Sequence, residues 1–389
     1  MANKKKVLGL ILELNPPHYG HKYFIDQAKE IVCPDYTICT LSTSFCMRGT
    51  PSCIDKWQKA QIALKLGVDY VFELPSAYYL QSADAFCRES IKILAKLDVT
   101  DIAFGVELDN LSKLEKIVDI MDSDVYNANL RDFLDKGSSY SSASLKALIE
   151  CTNDEEIINN FALPNNTLAI CYLKELRNYP HINIHLVKRI DNNYYDEKLG
   201  DSLISSATSI RNAINNNDNY ISRVIDKDYH YLKEAILNEG LYALLKYQFA
   251  THDLAYFNEI IGVSEGIQSR IAKFIADKNT LEELANNVQT KRYSLNHVNR
   301  ALINIILDNK KIEEESYLRL LAFKKDKKDY LNKLDKKIKE LIFSSPKDKQ
   351  SIILDYELRA SKIFDIISGL NTYIDEYKAP IVLGSEQDE

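Results

Sequence analysis

The order of apolar and polar residues in the first 110 positions predicts strands and helices in alternation. An apolar run at residues 7–14 ends in Asn15-Pro16-Pro17, where proline removes an amide donor and disfavours helix just before it. Further strands are predicted at residues 36–41, 70–74 and 101–104, and helices at residues 20–30, 54–66, 83–97 and 112–121. This alternation predicts a doubly wound parallel α/β sheet.

The rest of the chain divides near residue 216. Residues 125–178 have a helical pattern, in which Asn165 or Asn166 could cap a helix at residues 167–177, and residues 181–190 alternate like a strand. After a polar run at residues 215–218 the pattern is helical almost to residue 377. We therefore predict an α/β domain at residues 1–215 and a mostly α-helical domain at residues 216–389.

The turn after the first strand is a candidate phosphate site. A buried strand that passes through a glycine-containing turn into a helix directs free backbone N–H groups and the positive end of the helix dipole at one point. His18 and His21 lie three residues apart and can face that point, where imidazoles stabilise charge on a phosphate. The alternative is an ordinary strand-to-helix turn with two surface histidines.

Two more segments contain candidate ligand-binding residues. In a doubly wound sheet the ligand lies beyond the carboxyl ends of the strands, so the loops that carry Arg48 and Gly105 should face the same crevice as the histidines. Residues 204–211 combine hydroxyls, a helix start and Arg211, which is typical of a second phosphate site. Ordinary Ser/Thr capping of a helix is the alternative for that segment.

The second half of the chain contains clustered cations. Residues 290–300 include Lys291, Arg292, Tyr293 and Arg300, and a lysine-dense stretch follows at Arg319 and residues 324–349. Cations beside an aromatic ring suit phosphate backbones and exposed bases. The alternative is a solvated helix surface, because interleaved Asp and Glu residues cancel most of the charge.

Composition limits these possibilities. The chain has 389 residues and a net charge of −7, so a nucleic acid would have to bind a local patch. Its 7 cysteines include no Cys-x-x-Cys pair, which favours a reducing compartment over a disulfide framework or structural zinc. No signal-peptide pattern or membrane-spanning run is present. We therefore expect a soluble cytoplasmic protein, with no membrane partner.

Several segments, in this order and spacing, resemble the bacterial tRNA(Met) cytidine acetate ligase family, which belongs to the nucleotidylyltransferases with a His-x-Gly-His signature. The matching segments are residues 13–21 (ELNPPHYGH), 48–57 (RGTPSCIDKW), 67–75 (GVDYVFELP), 81–84 (QSAD), 164–168 (PNNTL), 188–190 (KRI), 206–211 (SATSIR) and 290–293 (TKRY). The resemblance implies a nucleotidylyltransferase-like, Rossmann-like sheet. The chain departs from the family pattern in the loop at residues 42–48, where Ser44 stands in place of the usual asparagine.

The resemblance also implies a two-step reaction. Acetate attacks the α-phosphate of ATP, and the N4 amine of the wobble cytidine of elongator tRNA(Met) then takes the acetyl group to give N4-acetylcytidine, with Mg²⁺ accompanying ATP and no DNA partner. His18 and His21 would be catalytic, Ser206, Thr208 and Arg211 would form a second phosphate motif, and Lys291, Arg292, Tyr293 and Arg300 would bind tRNA. ATP would contact Ile11, Leu12, Glu13, Leu14, Asn15, Pro16, Pro17, His18, Tyr19, Gly20, His21, Lys22, Tyr23, Phe24, Gly105, Asn165, Arg189 and Ile190.

Two other functions remain open from the sequence. A small-molecule adenylyltransferase that makes a dinucleotide cofactor fits the first 110 residues but leaves the long C-terminal half without a role. A non-catalytic tRNA-binding protein fits the altered loop at residues 42–48, if that loop no longer supports turnover.

Overall fold

The computed structural model describes residues 5–190 and 203–384. The first part alternates strands and helices as the sequence predicts. Its elements are β1 (Val7–Leu12), α1 (Tyr19–Val32), β2 (Tyr36–Ser42), α2 (Lys56–Lys65), β3 (Tyr70–Leu74), α3 (Ser76–Tyr79), α4 (Ala83–Lys96) and β4 (Asp101–Val106). Five helices and a strand follow: α5 (Leu111–Asp122), α6 (Asp124–Asp135), α7 (Tyr140–Ile149), α8 (Glu155–Phe161), α9 (Pro164–Leu176) and β5 (Asn183–Lys188).

The remaining elements are mainly helical and include three strands. They are α10 (Ala207–Asn216), α11 (Glu234–Thr251), α12 (Ile267–Phe274), α13 (Leu281–Val288), α14 (Leu295–Ile306), β6 (Leu318–Lys324), α15 (Asp329–Lys333), α16 (Lys336–Leu341), β7 (Ile342–Phe343), α17 (Ile352–Ser368) and β8 (Ile381–Leu383). The sequence also predicts a loop at residues 191–202, after the strand-like residues 181–190, and this segment lies outside the described residues.

The strands form one sheet in the order β5-β4-β1-β2-β3-β6-β7, with β8 also paired to β6. Strands β1 to β5 are parallel, which confirms the predicted doubly wound α/β sheet. The chain moves outward from β1 through β2 to β3 and then returns to the other side of β1 for β4 and β5. A crevice therefore forms beyond the carboxyl ends of β1 and β4, where the strand order reverses.

One prediction about the second half is wrong. The pattern after residue 216 predicts almost only helix, but β6 pairs antiparallel with β3 and extends the sheet of the first half. β7 and β8 then pair in parallel with β6. Residues on both sides of position 216 therefore share one sheet.

Apolar side chains pack on both faces of the sheet. One core lies between the sheet and α4, α5 and α9, and the other lies between the sheet and α1, α2 and α10. Strands β2 and β3 are buried along their whole length, as expected for parallel strands covered on both faces. Among the described residues, no helix has both the length and the apolar content needed to cross a membrane.

A buried cluster of charges joins the two halves of the chain. Lys56 Nζ lies 2.8 Å from Glu73 and 2.6 Å from Glu376, and Arg319 Nη1 lies 2.7 Å from Glu376. These four side chains are at most 3% exposed. The sequence predicts that Arg319 belongs to a basic surface stretch, but Arg319 is an interior residue. Three buried carboxylates, Glu73, Glu357 and Glu376, surround Arg319 and Lys56.

Candidate active site

The crevice at the carboxyl ends of β1, β4 and β5 holds a cavity of about 260 Å³. Most residues of the predicted ATP and phosphate sites line it. They are Ile11, Leu12, Glu13, Leu14, Asn15, His18, Gly20, His21, Tyr23, Phe24, Gly105, Asn165, Arg189, Ile190, Ser206, Thr208 and Arg211. Pro16, Pro17, Tyr19 and Lys22 lie outside the lining set. Pro16 and Pro17 are buried in the turn, and Lys22 pairs with Asp26 on the surface of α1.

The two histidines are fixed by the start of α1. His18 is the N-cap residue, and its Nδ1 accepts a hydrogen bond of 3.0 Å from the Gly20 amide. His21 Nδ1 in turn accepts a hydrogen bond of 3.2 Å from the His18 amide. A neutral imidazole that accepts at Nδ1 carries its proton on Nε2. Both rings therefore have an Nε2–H donor for a ligand in the cavity, and their centroids lie 4.0 Å apart.

The same environment lowers the pKa of both rings and so favours their neutral form. Burial lowers the pKa of His21 to about 3, and the charge of Arg189 contributes to that shift. Burial also holds the pKa of His18 well below its usual value, assisted by His21, Arg189 and Arg211. The positive charge of the cavity therefore comes from its arginines and Lys188, and the histidines are available as uncharged hydrogen-bond donors.

The second phosphate motif lies at the start of α10. Ser206 caps this helix through a 3.0 Å bond from the Ser209 amide to its Oγ. Arg211 donates to the backbone oxygen of Asn15 at 2.7 Å and to Thr208 Oγ1 at 3.3 Å, which joins the motif to the histidine turn. The Ser205 hydroxyl lines the cavity, is buried and has no hydrogen-bond partner among the described residues. The structure thus brings both predicted phosphate motifs together.

An apolar wall also lines the cavity. It consists of Phe104 at the end of β4 and of Leu168 and Tyr172 on α9, with the Phe104 and Tyr172 ring centroids 5.2 Å apart. The sequence analysis missed these three residues. Their spacing provides the signal, because Leu168 and Tyr172 follow Asn165 on the same face of one helix.

The free backbone amides at the start of α9 donate to the side chain of Glu107 rather than to an asparagine side chain. The helix begins at Pro164 with no side-chain cap, so the predicted capping role of Asn165 or Asn166 is wrong. The Asn166 amide donates to Glu107 Oε2 at 2.9 Å, and Asn165 Nδ2 donates to Glu107 Oε1 at 2.5 Å. Asn165 Oδ1 also accepts a 3.4 Å bond from Arg189. A carboxylate at this helix end therefore orients Asn165, a residue of the cavity lining.

A third wall comes from the loop after β2. Cys46, Arg48 and Thr50 line the cavity beside Glu13. Burial and the charge of Arg211 lower the pKa of Arg48 from its usual value, although an arginine remains cationic. Asn15 supports this wall, since its Nδ2 donates to Cys46 Sγ at 2.8 Å.

The predicted tRNA contacts have different surroundings. Lys291 and Arg292 are exposed. Tyr293 is only 9% exposed and donates its hydroxyl to Glu265 O at 2.7 Å. Arg300 donates from Nη1 to Met47 O at 3.2 Å and from Nε to Gln81 O at 3.0 Å. Stacking of Tyr293 on a base is not supported by this arrangement, and Arg300 serves a contact between α14 and the catalytic half.

A family model described as HIGH Nucleotidyl Transferase matches residues 5–378. The chain belongs to the HIGH nucleotidyl transferase family. Relatives named tRNA(Met) cytidine acetate ligase include one from Thermosipho melanesiensis, 35% identical with 90% of this chain and 86% of the relative covered. Another, from Caldicellulosiruptor saccharolyticus, is 33% identical with coverages of 92% and 93%. The resemblance drawn from the motifs is confirmed.

Solved structures agree with this membership in the HIGH nucleotidyl transferase family. Apo TmcAL of Thermotoga maritima superposes with a TM-score of 0.88 at 25% identity, covering 98% of this chain and all of that chain. A second crystal structure of that protein, bound with alpha-thio ATP, has a TM-score of 0.85 at the same identity and covers 98% of this chain. The nucleotidylyltransferase-like fold is therefore confirmed over nearly the whole molecule.

Proposed function

We propose that this protein is an ATP-dependent ligase that activates acetate as acetyl-adenylate and transfers the acetyl group to N4 of the wobble cytidine of elongator tRNA(Met). The observation that carries the proposal is the cavity at the strand ends, where both phosphate motifs meet. Relatives that align with more than nine-tenths of this chain are named tRNA(Met) cytidine acetate ligase. A modification of tRNA would take place in the cytoplasm.

In the first step, a carboxylate oxygen of acetate attacks the α-phosphorus of ATP, and the bond to the β-phosphate oxygen breaks to release pyrophosphate. Negative charge grows on the phosphate oxygens. The Nε2–H groups of His18 and His21 would donate to those oxygens, and Arg189 and Arg211 would offset the charge. Neutral imidazoles suit this role, because they donate hydrogen bonds without needing a proton from solvent.

In the second step, the cytidine N4 amine attacks the acetyl carbonyl carbon and AMP leaves. The amine loses one proton, and the products are N4-acetylcytidine and AMP. The base must leave its stack to reach the adenylate, so a surface that holds the RNA backbone must lie outside the cavity. Lys291 and Arg292, both exposed, would contribute to that surface.

Magnesium would accompany ATP in this reaction. The described residues contain no group of three His, Cys, Asp or Glu side chains able to hold a metal ion by themselves. Among the described residues that line the cavity, Glu13 supplies the one carboxylate. Mg²⁺ commonly takes most of its ligands from substrate phosphates and water, with one or two carboxylates, and this cavity fits that arrangement.

The test is acetate-dependent exchange of labelled pyrophosphate into ATP, measured with purified full-length protein and Mg²⁺, with and without tRNA(Met). We expect exchange that requires acetate, followed by formation of N4-acetylcytidine when tRNA(Met) is supplied. Protein that binds ATP but shows no exchange in either condition would contradict the proposal. Joining of ATP to a mononucleotide or to phosphopantetheine would instead favour a small-molecule adenylyltransferase, and tRNA binding without turnover would favour a non-catalytic role.

A further inference from the structure

Residues 43–52 of the loop between β2 and α2 are held in one conformation by buried hydrogen bonds. Lys59, which is fully buried, donates from Nζ to Ser42 O at 3.2 Å and to Thr43 O at 2.6 Å. Tyr79 accepts the Phe45 amide at 3.3 Å. Within the loop, the Cys46 amide donates to Thr50 O at 2.9 Å. A buried loop with this many backbone partners presents its side chains in a defined geometry.

Met47, the residue before Arg48, is fixed on both sides of its backbone. Its amide donates to Glu13 Oε2 at 2.8 Å, and its carbonyl accepts from Arg300 Nη1 at 3.2 Å. Gly49, the residue after Arg48, has a φ of +78° and touches the backbone of α14. A Cβ on Gly49 would lie 2.3 Å from the Arg300 amide nitrogen, so only glycine fits. Both neighbours of Arg48 are therefore set by contacts with other elements.

The wall that carries Arg48 adjoins the phosphate motifs. Asn15 of the histidine turn donates to Cys46, and the charge of Arg211 acts on Arg48. Cys46, Arg48 and Thr50 therefore add a small apolar group, a cation and a hydroxyl to the lining beside these motifs, where a carboxylate that attacks a phosphate would have to lie. An arginine in a partly dry site binds a carboxylate through two parallel N–H···O bonds.

We propose that Arg48 and Thr50 form the binding site for a small monocarboxylate, and that Arg300 is the positioning residue that holds Arg48 in the cavity wall. The site deepens the proposed ligase function and rests on it, because it supplies the place for the carboxylate that attacks ATP. It also gives α14 of the C-terminal half a direct effect on the reaction site. Arg300 acts through the Met47 carbonyl and does not touch substrate.

The test measures pyrophosphate exchange against acetate concentration at saturating ATP, and measures the Kd for ATP separately without acetate. We expect Arg48→Met to raise the KM for acetate by about 10- to 100-fold, the range for losing a hydrogen bond to a charged group. The Kd for ATP should change less than about twofold. Arg48→Lys, which keeps the charge but not the paired donors, should give an intermediate KM. This second variant shows whether the effect of Arg48→Met comes from lost binding rather than from misfolding.

Arg300 has a matched control on the chain. Arg359 Nη1 also donates to two backbone carbonyls, Leu307 O at 2.7 Å and Asp308 O at 2.9 Å, but these follow the far end of α14. We expect Arg300→Met to raise the KM for acetate severalfold, Arg300→Lys to restore part of the loss, and Arg359→Met to leave that KM unchanged. An equal effect of Arg300→Met and Arg359→Met would overturn the positioning role.

The outcomes separate this site from the proposed function. Wild-type protein that exchanges pyrophosphate with acetate, together with an unchanged acetate KM in Arg48→Met and Arg48→Lys, would overturn the carboxylate site alone. A raised Kd for ATP with an unchanged acetate KM would assign Arg48 to the triphosphate and overturn it as well. Wild-type protein that binds ATP without any acetate-dependent exchange would overturn the proposed function, and this site with it.

Discussion

At the scale of single residues, the two ring nitrogens of His18 have different surroundings. Nδ1 accepts the Gly20 amide and so caps α1, while Nε2 remains as a donor toward the cavity. Removing the whole ring would therefore change both helix stability and the chemistry. A variant that keeps the cap but loses the Nε2–H donor can separate these effects.

His18→Asn is that variant, because asparagine is among the best N-cap residues and its side-chain oxygen can accept the same amide. We expect the turnover of acetate-dependent pyrophosphate exchange to fall by about 100- to 1000-fold, since one donor to the transition state is lost. The melting temperature should stay close to that of the wild type. Turnover within about fivefold of the wild type would contradict a catalytic role for this ring.

At the scale of elements, α9 depends on a carboxylate from the end of β4. Glu107 accepts the amides of Asn165 and Asn166, and it also accepts the Asn165 side chain. In turn, Asn166 Oδ1 accepts hydrogen bonds from the backbone amides of Glu107 and Leu108, at 3.0 Å each. Glu107, which directly follows β4, therefore fixes the position of α9 and of the apolar wall that α9 carries.

We expect Glu107→Ala to lower the free energy of unfolding by about 1 to 2 kcal/mol, as for loss of a helix cap, and to weaken ATP binding because Asn165 loses its partner. Glu107→Gln keeps one acceptor oxygen and should fall between Ala and the wild type. Urea unfolding and calorimetric titration with ATP measure the two effects. Unchanged ATP affinity in Glu107→Ala would mean that Asn165 does not need this anchor.

The segment before α14 provides the test of RNA binding. Lys291 and Arg292 are exposed, whereas Tyr293 is packed between Glu265 and His297. Lys291→Ala combined with Arg292→Ala should weaken tRNA binding and make its logarithmic dependence on salt concentration less steep, because fewer phosphates are neutralised. ATP affinity should not change. Equal losses of tRNA and ATP binding would indicate a structural role for this segment.

Predictions for residues and elements are correct where the signal is local in sequence and fail where the contact is distant in sequence. The strand at residues 70–74 and the helix starting at residue 83 are correct to the residue, because proline and serine mark their ends locally. The histidine turn, Arg48 and Gly105 line one cavity as expected, since the carboxyl ends of parallel strands meet at one edge of the sheet. The anchor of α9 was missed because Glu107 is distant in sequence from the amides that it accepts.

At the scale of the whole molecule, the buried charges join β3, α2, β6 and the segment before β8. Arg319 contacts Glu73 and Glu376, and Lys56 contacts the same two carboxylates. Burial and the charge of Glu73 raise the pKa of Glu357, the third carboxylate. The cluster is satisfied only when the C-terminal segment is in place.

Arg319→Met leaves Glu73 and Glu376 with only one of their two cationic partners. We expect a loss of about 3 to 5 kcal/mol in the free energy of unfolding, the usual cost of breaking a buried ion pair by removing one side. Lys378, which pairs with Asp375 at the surface, is the matched control, and Lys378→Met should change stability by less than about 1 kcal/mol. Similar effects of the two substitutions in urea unfolding would contradict a stabilising role for the cluster.

The strand that carries Arg319 could not be recognised from sequence. Residues 318–324 (LRLLAFK) form a short apolar run flanked by helical patterns and lysines, and such a run fits a helix or a strand equally well. Residues 318–324 become a strand because they pair with the open edge of β3, which lies in the first 80 residues. The buried position of Arg319 follows from the same distant pairing.

The pairing of β3 with β6 also bears on how the protein is made. Phe72 on β3 can pair with Leu320 on β6 only after the ribosome has added Leu320, about 250 residues later. At about 5 to 20 residues per second, the edge of the nascent sheet stays open for roughly 12 to 50 seconds. During that interval the growing chain exposes an unpaired strand to its neighbours, so synthesis of this protein should benefit from a chaperone that covers strand edges until the last third has emerged.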